Sequence, residues 1–194
     1  MRAVIAILVL AGSAWAETPP TPDCSYPMKD GLGLDNESFD DPETRTGWRK
    51  LADIPGCEAA AADLIKQYRD SKTARQMRSL LHHEAQLRAS VGDYPAAIDL
   101  IEEIQKTEPE LSNRIYHEAE IAFYQKDRVA LQAARDRLAA LPKPDGFDEG
   151  AARFRERFPN YPPPTWPANL DTVDGFLNCL GTPYADAYAF SCRP

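Results

Sequence analysis

The stretch 83-HEAQLRASVGDYPAA-97 returns in altered form as 117-HEAEIAFYQKDRVAL-131, thirty-four residues further along the chain. The two copies begin with the same triplet and keep the aspartate of the central turn, Asp93 in the first and Asp127 in the second. Internal periods of this length are typical of arrays of helical hairpins. Because one hairpin cannot bury its apolar face alone, the copies must stack on each other. The sequence therefore predicts an all-α fold of stacked antiparallel helical hairpins.

Apolar residues recur at helical spacing on both sides of this stretch. The predicted helices cover about residues 57–69, 72–91, 95–106, 112–125 and 128–141, with one earlier helix that begins near Asp41 and Pro42 and one last helix over about 169–180. No stretch alternates apolar and polar residues for long enough to predict a strand. We expect the chain to be almost wholly helical.

Composition divides the chain into four segments. Residues 1–16 are typical of a secretory signal, with an apolar run between Arg2 and the small residues that precede Glu17. Residues 17–41 are predicted to be an irregular acidic arm, and residues 42–145 the hairpin array. Residues 146–194 are predicted to form a proline-rich connection followed by a helical cap, because a repeat array needs an end unit to cover its last apolar face.

Four cysteines lie near the two ends of the chain. An even number of cysteines in an exported chain favours disulfides. Four cysteines allow three pairings, of which we predict Cys24 with Cys57 and Cys179 with Cys192, because each of these pairs closes a modest loop. The second bridge would staple the C-terminal cap. Neither spacing resembles a zinc knuckle or a CxxC redox site.

The net charge of −8 limits the classes of partner. Nucleic-acid phosphates and anionic membrane surfaces both require a basic surface, so we expect neither as a partner. After removal of residues 1–16 no long apolar stretch is left, so we expect no stable membrane insertion. The expected location is the periplasm or the outside of the cell.

The turn Gly92-Asp93-Tyr94, together with Ala85, Ala97 and Pro109, resembles a tetratricopeptide repeat. The second copy is degenerate, because Lys126 and Arg128 replace the turn glycine and tyrosine. The layout of the whole chain is similar to that of exported tetratricopeptide-like bacterial proteins of uncharacterised function. This resemblance implies a helical superhelix whose groove binds a peptide or a protein segment.

On this basis we expect a protein or peptide interaction module rather than an enzyme. The residues expected to be exposed and to face the groove belong to the first helix of each hairpin: His83, Glu84, Arg88, His117, Glu118 and Tyr124. A structural component of the cell envelope without a discrete ligand is the alternative, and an enzyme of unrecognised type is a less favoured one.

Several groups of polar and aromatic residues have the residue types of a functional site. His83 and His117, with His82 and the neighbouring glutamates, suggest a metal site, but equivalent residues on packed helices are separated by roughly 8–10 Å. We therefore expect no metal site, and the absence of nucleotide, haem and nucleophile motifs predicts no cofactor and no catalytic residues. The aromatic residues near the end of the chain either dock a partner or pack the cap: Tyr161, Trp166, Tyr184, Tyr188 and Phe190.

Overall fold

The computed structural model describes residues 21–71 and 77–194, so the predicted signal segment and the start of the predicted 72–91 helix lie outside the described residues. The helices are α1 (Met28–Gly33), α2 (Asn36–Phe39), α3 (Trp48–Ala52), α4 (Glu58–Ser71), α5 (Met77–Ser90), α6 (Tyr94–Gln105), α7 (Leu111–Tyr124), α8 (Arg128–Ala139), α9 (Phe147–Arg157), α10 (Leu170–Asn178), α11 (Tyr184–Tyr188) and a final 3₁₀ turn (Phe190–Cys192). The described ranges contain no strand, only an isolated bridge between Leu180 and Thr182. The predicted all-α fold is confirmed.

The two turns within the hairpins have the same backbone geometry. Gly92 and Lys126 both adopt positive φ, 82° and 58°, and the next residue closes each turn by donating its backbone N–H back to the preceding helix. The side chains of Asp93 and Asp127 then accept hydrogen bonds from the first turns of α6 and α8. Such capping satisfies backbone donors that a helix start leaves unpaired. The retained aspartate therefore fixes the point where each second helix begins.

The helices stack in chain order. Each of α3 to α7 packs against the next helix, so that α5 with α6 and α7 with α8 form hairpins, and α10 packs on both α7 and α8. α10 thus covers the end of the stack, as the sequence predicts for the cap. Both predicted disulfides are present, Cys24–Cys57 and Cys179–Cys192.

The acidic arm is more ordered than the sequence suggests. It contains α1 and α2, and Phe39 at the end of α2 is fully buried and stacks on Tyr68 of α4 with ring centroids 3.7 Å apart. The predicted helix start at Asp41 is wrong, because Asp41 accepts hydrogen bonds from Thr44 and from the backbone of Glu43 within a turn. The helix begins instead at Trp48, directly after Gly47.

Gly47 explains this later start. Its φ is 61°, and a Cβ at this position would lie 2.3 Å from the backbone oxygen of Phe39. Only glycine combines this left-handed backbone with so close an approach. The arm therefore crosses the start of α3 at backbone contact, and the helix cannot extend back to Asp41.

The end of the chain folds back onto the stack. After α10 the chain turns at Gly181, and the short helix α11, which the sequence analysis did not predict, packs against α5 and α10. The Cys179–Cys192 bridge holds this segment to the end of α10. In contrast, α9 buries none of its residues fully and is held through ring contacts such as that between Phe147 and Trp166.

Candidate functional site

The six residues predicted to line a groove do not form one exposed face. Glu84, His117 and Tyr124 are buried, with exposed fractions of 3%, 5% and 4%. Their predicted exposure is therefore wrong. The reason is that neighbouring helices and the C-terminal segment cover these positions, as the following contacts show.

Glu84 and Arg88 face α4. Both Nε and Nη2 of Arg69 donate to Oε2 of Glu84, at 3.0 and 2.7 Å, and Arg88 pairs with Asp63. Burial raises the pKa of Glu84, and the charge of Arg69 opposes this rise. These two groove candidates thus join α5 to α4, and the buried Glu84 is not available to a ligand.

Tyr124 is covered by the folded-back segment. Its ring stacks on Tyr94 at a centroid distance of 5.5 Å and meets the ring of Tyr184 edge-on at 5.4 Å. The predicted groove beside Tyr124 is therefore occupied by α11 of the same chain. For the C-terminal aromatic residues the sequence allows either docking of a partner or packing of the cap. In the structure Tyr184 packs the cap, whereas Tyr161, Tyr188 and Phe190 are exposed.

The two remaining candidates contact different parts of the fold. His83 lies against Trp48 with ring centroids 4.9 Å apart, and its Nε2 is 3.4 Å from Oδ1 of Asp40. Glu118 forms an ion pair with Arg137 of α8. The structure therefore does not bring His83 and Glu118 together, nor either of them to His117.

The partner of His117 across the stack is His82. The centroids of the two imidazole rings are 5.2 Å apart, and Oε2 of the fully buried Glu120 accepts a hydrogen bond from Nε2 of His82 at 2.9 Å. One nitrogen or oxygen of each of the three side chains lies within 4.8 Å of the other two. We call His82, His117 and Glu120 the histidine–glutamate cluster.

The two imidazoles of this cluster differ in their pKa. Burial disfavours a charged His82, but the charge and the hydrogen bond of Glu120 outweigh burial and raise the pKa of His82. For His117 burial dominates, and it lowers the pKa despite the attraction of Glu120. Nδ1 of His117 is buried and has no hydrogen-bond partner among the described residues.

Three buried tyrosines surround the carboxylate of Glu120. The hydroxyl of Tyr184 lies 3.4 Å from Oε1 of Glu120, and the rings of Tyr116 and Tyr124 complete the enclosure. Burial raises the pKa of all three hydroxyls well above the ordinary value, and the charge of Glu120 adds to the rise. These hydroxyls are therefore neutral.

A cavity of about 240 Å³ adjoins the cluster. Its wall comes from the first turns of α5, α7 and α10 and from the end of the first hairpin: Arg78, Ser79, His82, Ile104, Glu108, Asn113, Tyr116, His117 and Asn169. The side chain of His82 is 23% exposed, so the cluster is accessible from one side.

One feature of the sequence points to this cluster. Glu120 shares a helix face with Tyr116, Phe123 and Tyr124, because residues three and four apart lie on the same side of a helix. A single acid on a face of aromatic residues requires a buried partner. In the alignment of the two copies His83 corresponds to His117, but the adjacent His82 is the residue that faces α7.

A second feature lies between the acidic arm and the end of α9. An open cleft of about 710 Å³ is lined by acidic residues of the arm and by Arg157 and Phe158. It adjoins an apolar hollow of about 230 Å³. Both are lined by Pro42, Glu43 and Phe158, and the hollow is also lined by Phe154 and Tyr161. We call the two together the acidic–aromatic cleft. Glu37 and Glu43 are exposed there and form no ion pair within the described ranges.

Comparison with known proteins gives no match: no protein-family model, no curated protein and no solved structure matches this chain. No helix in the described part is both long and apolar enough to span a membrane. The two disulfides indicate an oxidising, extracytoplasmic environment. Functional conclusions therefore depend on the geometry of the cluster and the cleft.

Proposed function

We propose that the protein is an exported helical-repeat interaction module, which acts in the periplasm or outside the cell by binding a cationic peptide segment of another protein. The observation that carries this proposal is the acidic–aromatic cleft. It replaces the groove expected from the sequence, part of which is filled by α11.

The cleft combines two properties that a peptide site needs. Its rim carries Glu37 and Glu43, two exposed carboxylates without cationic partners in the described part of the chain. Its floor carries Phe154 and Phe158, whose ring centroids are 5.0 Å apart, and the half-exposed Tyr161. Aromatic anchors supply most of the binding energy of an interface, and charge complementarity supplies orientation and association rate.

The structure also supports cationic chemistry for the partner. The guanidinium of Arg157 already lies 5.3 Å from the ring centroid of Phe158. A lysine or arginine of a bound segment would find the same kind of aromatic contact together with two free carboxylates. The net charge of −8 disfavours an acidic partner. We therefore assign a basic segment with one apolar side chain to the cleft.

The test is a titration of the protein with a short lysine-rich peptide that carries one central leucine. Two further peptides serve as controls: one with glutamates in place of the lysines, and one with alanine in place of leucine. We expect the first peptide alone to bind well, and to bind more weakly as salt is added, because exposed charges are screened.

Variants locate the binding. We expect Glu37→Gln combined with Glu43→Gln, or Phe158→Ser alone, to weaken binding about 10-fold, which corresponds to about 1.4 kcal/mol. The matched control is Glu102→Gln combined with Glu103→Gln, which removes two exposed carboxylates from α6. Equal binding by all variants, equal binding of the acidic peptide, or no binding at all contradicts the proposal.

A further inference from the structure

The histidine–glutamate cluster has the donor set of a transition-metal site. Two imidazoles and one carboxylate bind zinc in many proteins at donor distances of about 2.0–2.2 Å. Two donors on a tetrahedral ion of this size are about 3.4 Å apart. In the cluster Nε2 of His82 and Oε2 of Glu120 are 2.9 Å apart, and all three donors lie within 4.8 Å of one another. The required spacing of about 3.4 Å lies between these two distances.

The backbone arrangement holds these donors on rigid elements. His117 and Glu120 lie one helical turn apart on α7, so both project from the same face of that helix. His82 approaches from α5, which belongs to the preceding hairpin. Metal sites in helical bundles also combine a glutamate and a histidine three residues apart on one helix, there in the order Glu-x-x-His, with ligands from other helices.

An ion pair between His82 and Glu120 explains only part of the cluster. It leaves Nδ1 of His117 buried without a partner, and a buried polar atom without a hydrogen bond costs about 1–3 kcal/mol. A structural role for the pair does not require a second histidine at this place. A metal ion would use the lone pair of His117 and the carboxylate together.

The surroundings also suit a bound ion. Oε1 of Glu120 faces the hydroxyl of Tyr184 at 3.4 Å, which leaves Oε2 for the ion, and such supporting contacts orient metal ligands. The adjoining cavity of about 240 Å³ has room for water, which occupies about 30 Å³ per molecule in the liquid. Three protein ligands with an open fourth position are typical of zinc sites that exchange their last ligand.

We propose that His82, His117 and Glu120 bind one zinc ion, with the fourth position open to the cavity. Mixed imidazole and carboxylate donors favour zinc over magnesium or calcium, which prefer oxygen ligands alone. This inference replaces the sequence-based expectation of no metal site and is independent of the proposed peptide binding.

The experiment uses the whole chain with both disulfides formed, without a histidine tag and freed of metal by a chelator. Zinc is titrated by calorimetry, and cobalt is used as a spectroscopic probe because a tetrahedral cobalt site gives intense visible bands. We expect one ion per chain and a tetrahedral cobalt spectrum.

The chain has only three histidines, so single substitutions separate the cluster from its neighbour. We expect His117→Asn to weaken zinc binding at least about 100-fold, since loss of a mere supporting residue already costs about 10- to 100-fold. The matched control His83→Asn removes the adjacent histidine and keeps full binding. Circular dichroism checks whether both variants are folded. If His117→Asn does not fold, His82→Asn takes its place in the test.

Three results would overturn the proposal. One is a wild-type protein that binds no zinc at stoichiometric amounts. The second is a folded cluster variant that binds zinc as tightly as the wild type. The third is a loss of binding in His83→Asn equal to that in His117→Asn.

Discussion

Two buried carboxylates show how single residues are accommodated between the hairpins. Glu84 is paired with Arg69, and Glu120 with His82 inside a ring of tyrosines. An isolated buried charge is costly, so each acid depends on its own partner. Glu84 therefore contributes to the contact between α4 and α5, and Glu120 to the contact between α5 and α7.

Replacing Glu84 with alanine should destabilise the fold by about 3 kcal/mol, because it leaves the largely buried guanidinium of Arg69 unpaired. The matched control is Asp63→Ala, which breaks the pair with Arg88 at a side chain that is 60% exposed. We expect the control to cost less than about 1 kcal/mol. Urea unfolding measures both free energies, and equal losses would contradict this distinction.

At the residue scale the sequence predicted which turns and cysteines matter but not which polar residues are buried. Asp93, Asp127 and both disulfides could be recognised because their roles depend on local spacing. The neighbours of Glu84 and His82 depend on how α4, α5 and α7 are rotated against each other. A difference of one residue along a helix turns a side chain by about 100°, which is why His83 and His82 face different helices.

The helices differ in how firmly they are attached to the stack. α10 buries Val173 and Phe176 completely, and Phe176 contacts Phe123 at a centroid distance of 4.9 Å. α9 is amphipathic in sequence but buries none of its residues fully. The cap therefore depends on α10, whereas α9 adds little to the stability of the array.

Phe176→Ala should cost about 3–5 kcal/mol, because it removes a fully buried aromatic ring from the contact between α10 and α7. The matched substitution Phe154→Ala on α9 should cost about 1 kcal/mol or less, since that ring is only half-buried. Thermal and urea unfolding of the two variants measure the difference. A larger loss for Phe154→Ala would mean that α9 is part of the core.

Helices α4 to α8 and α10 were predicted, and the short helices α1, α2 and α11 were not. The apolar periodicity of α4 to α8 and α10 is visible over nine or more residues, and the capping aspartates mark two of their starts. Helices α1, α2 and α11 have four to six residues each, too few for a period to appear. Such short helices are formed by tertiary contacts, here by the burial of Phe39 and Tyr184, rather than by local preference.

On the scale of the whole molecule, buried residues form two clusters that the α4–α5 contact connects. One contains the arm, α3 and α4, and the other extends from α5 to α11. The second cluster includes Tyr184 and Ala187 of α11, so the end of the chain is part of the core. The acidic–aromatic cleft lies outside both clusters.

Removing residues 169–194 should uncover the apolar side of α7 and α8, including Phe123 and Leu131. We expect the shortened protein to bind a hydrophobic dye such as ANS strongly and to associate with itself, because a large exposed apolar patch favours association. The control is a variant in which a glycine–serine linker replaces residues 147–157. We expect this control neither to bind the dye strongly nor to associate with itself. Dye fluorescence and sedimentation measure both effects, and identical behaviour of the two deletions would contradict this assignment.

The unequal burial along the chain also determines where the protein can change in length during evolution. No residue from 142 to 168 is buried, whereas the bridge between Cys179 and Cys192 locks the last helix to the end of the chain. An insertion within residues 142–168 would displace only exposed and partly exposed residues. Insertions are therefore expected between α8 and α10 rather than within the segment that the Cys179–Cys192 bridge closes.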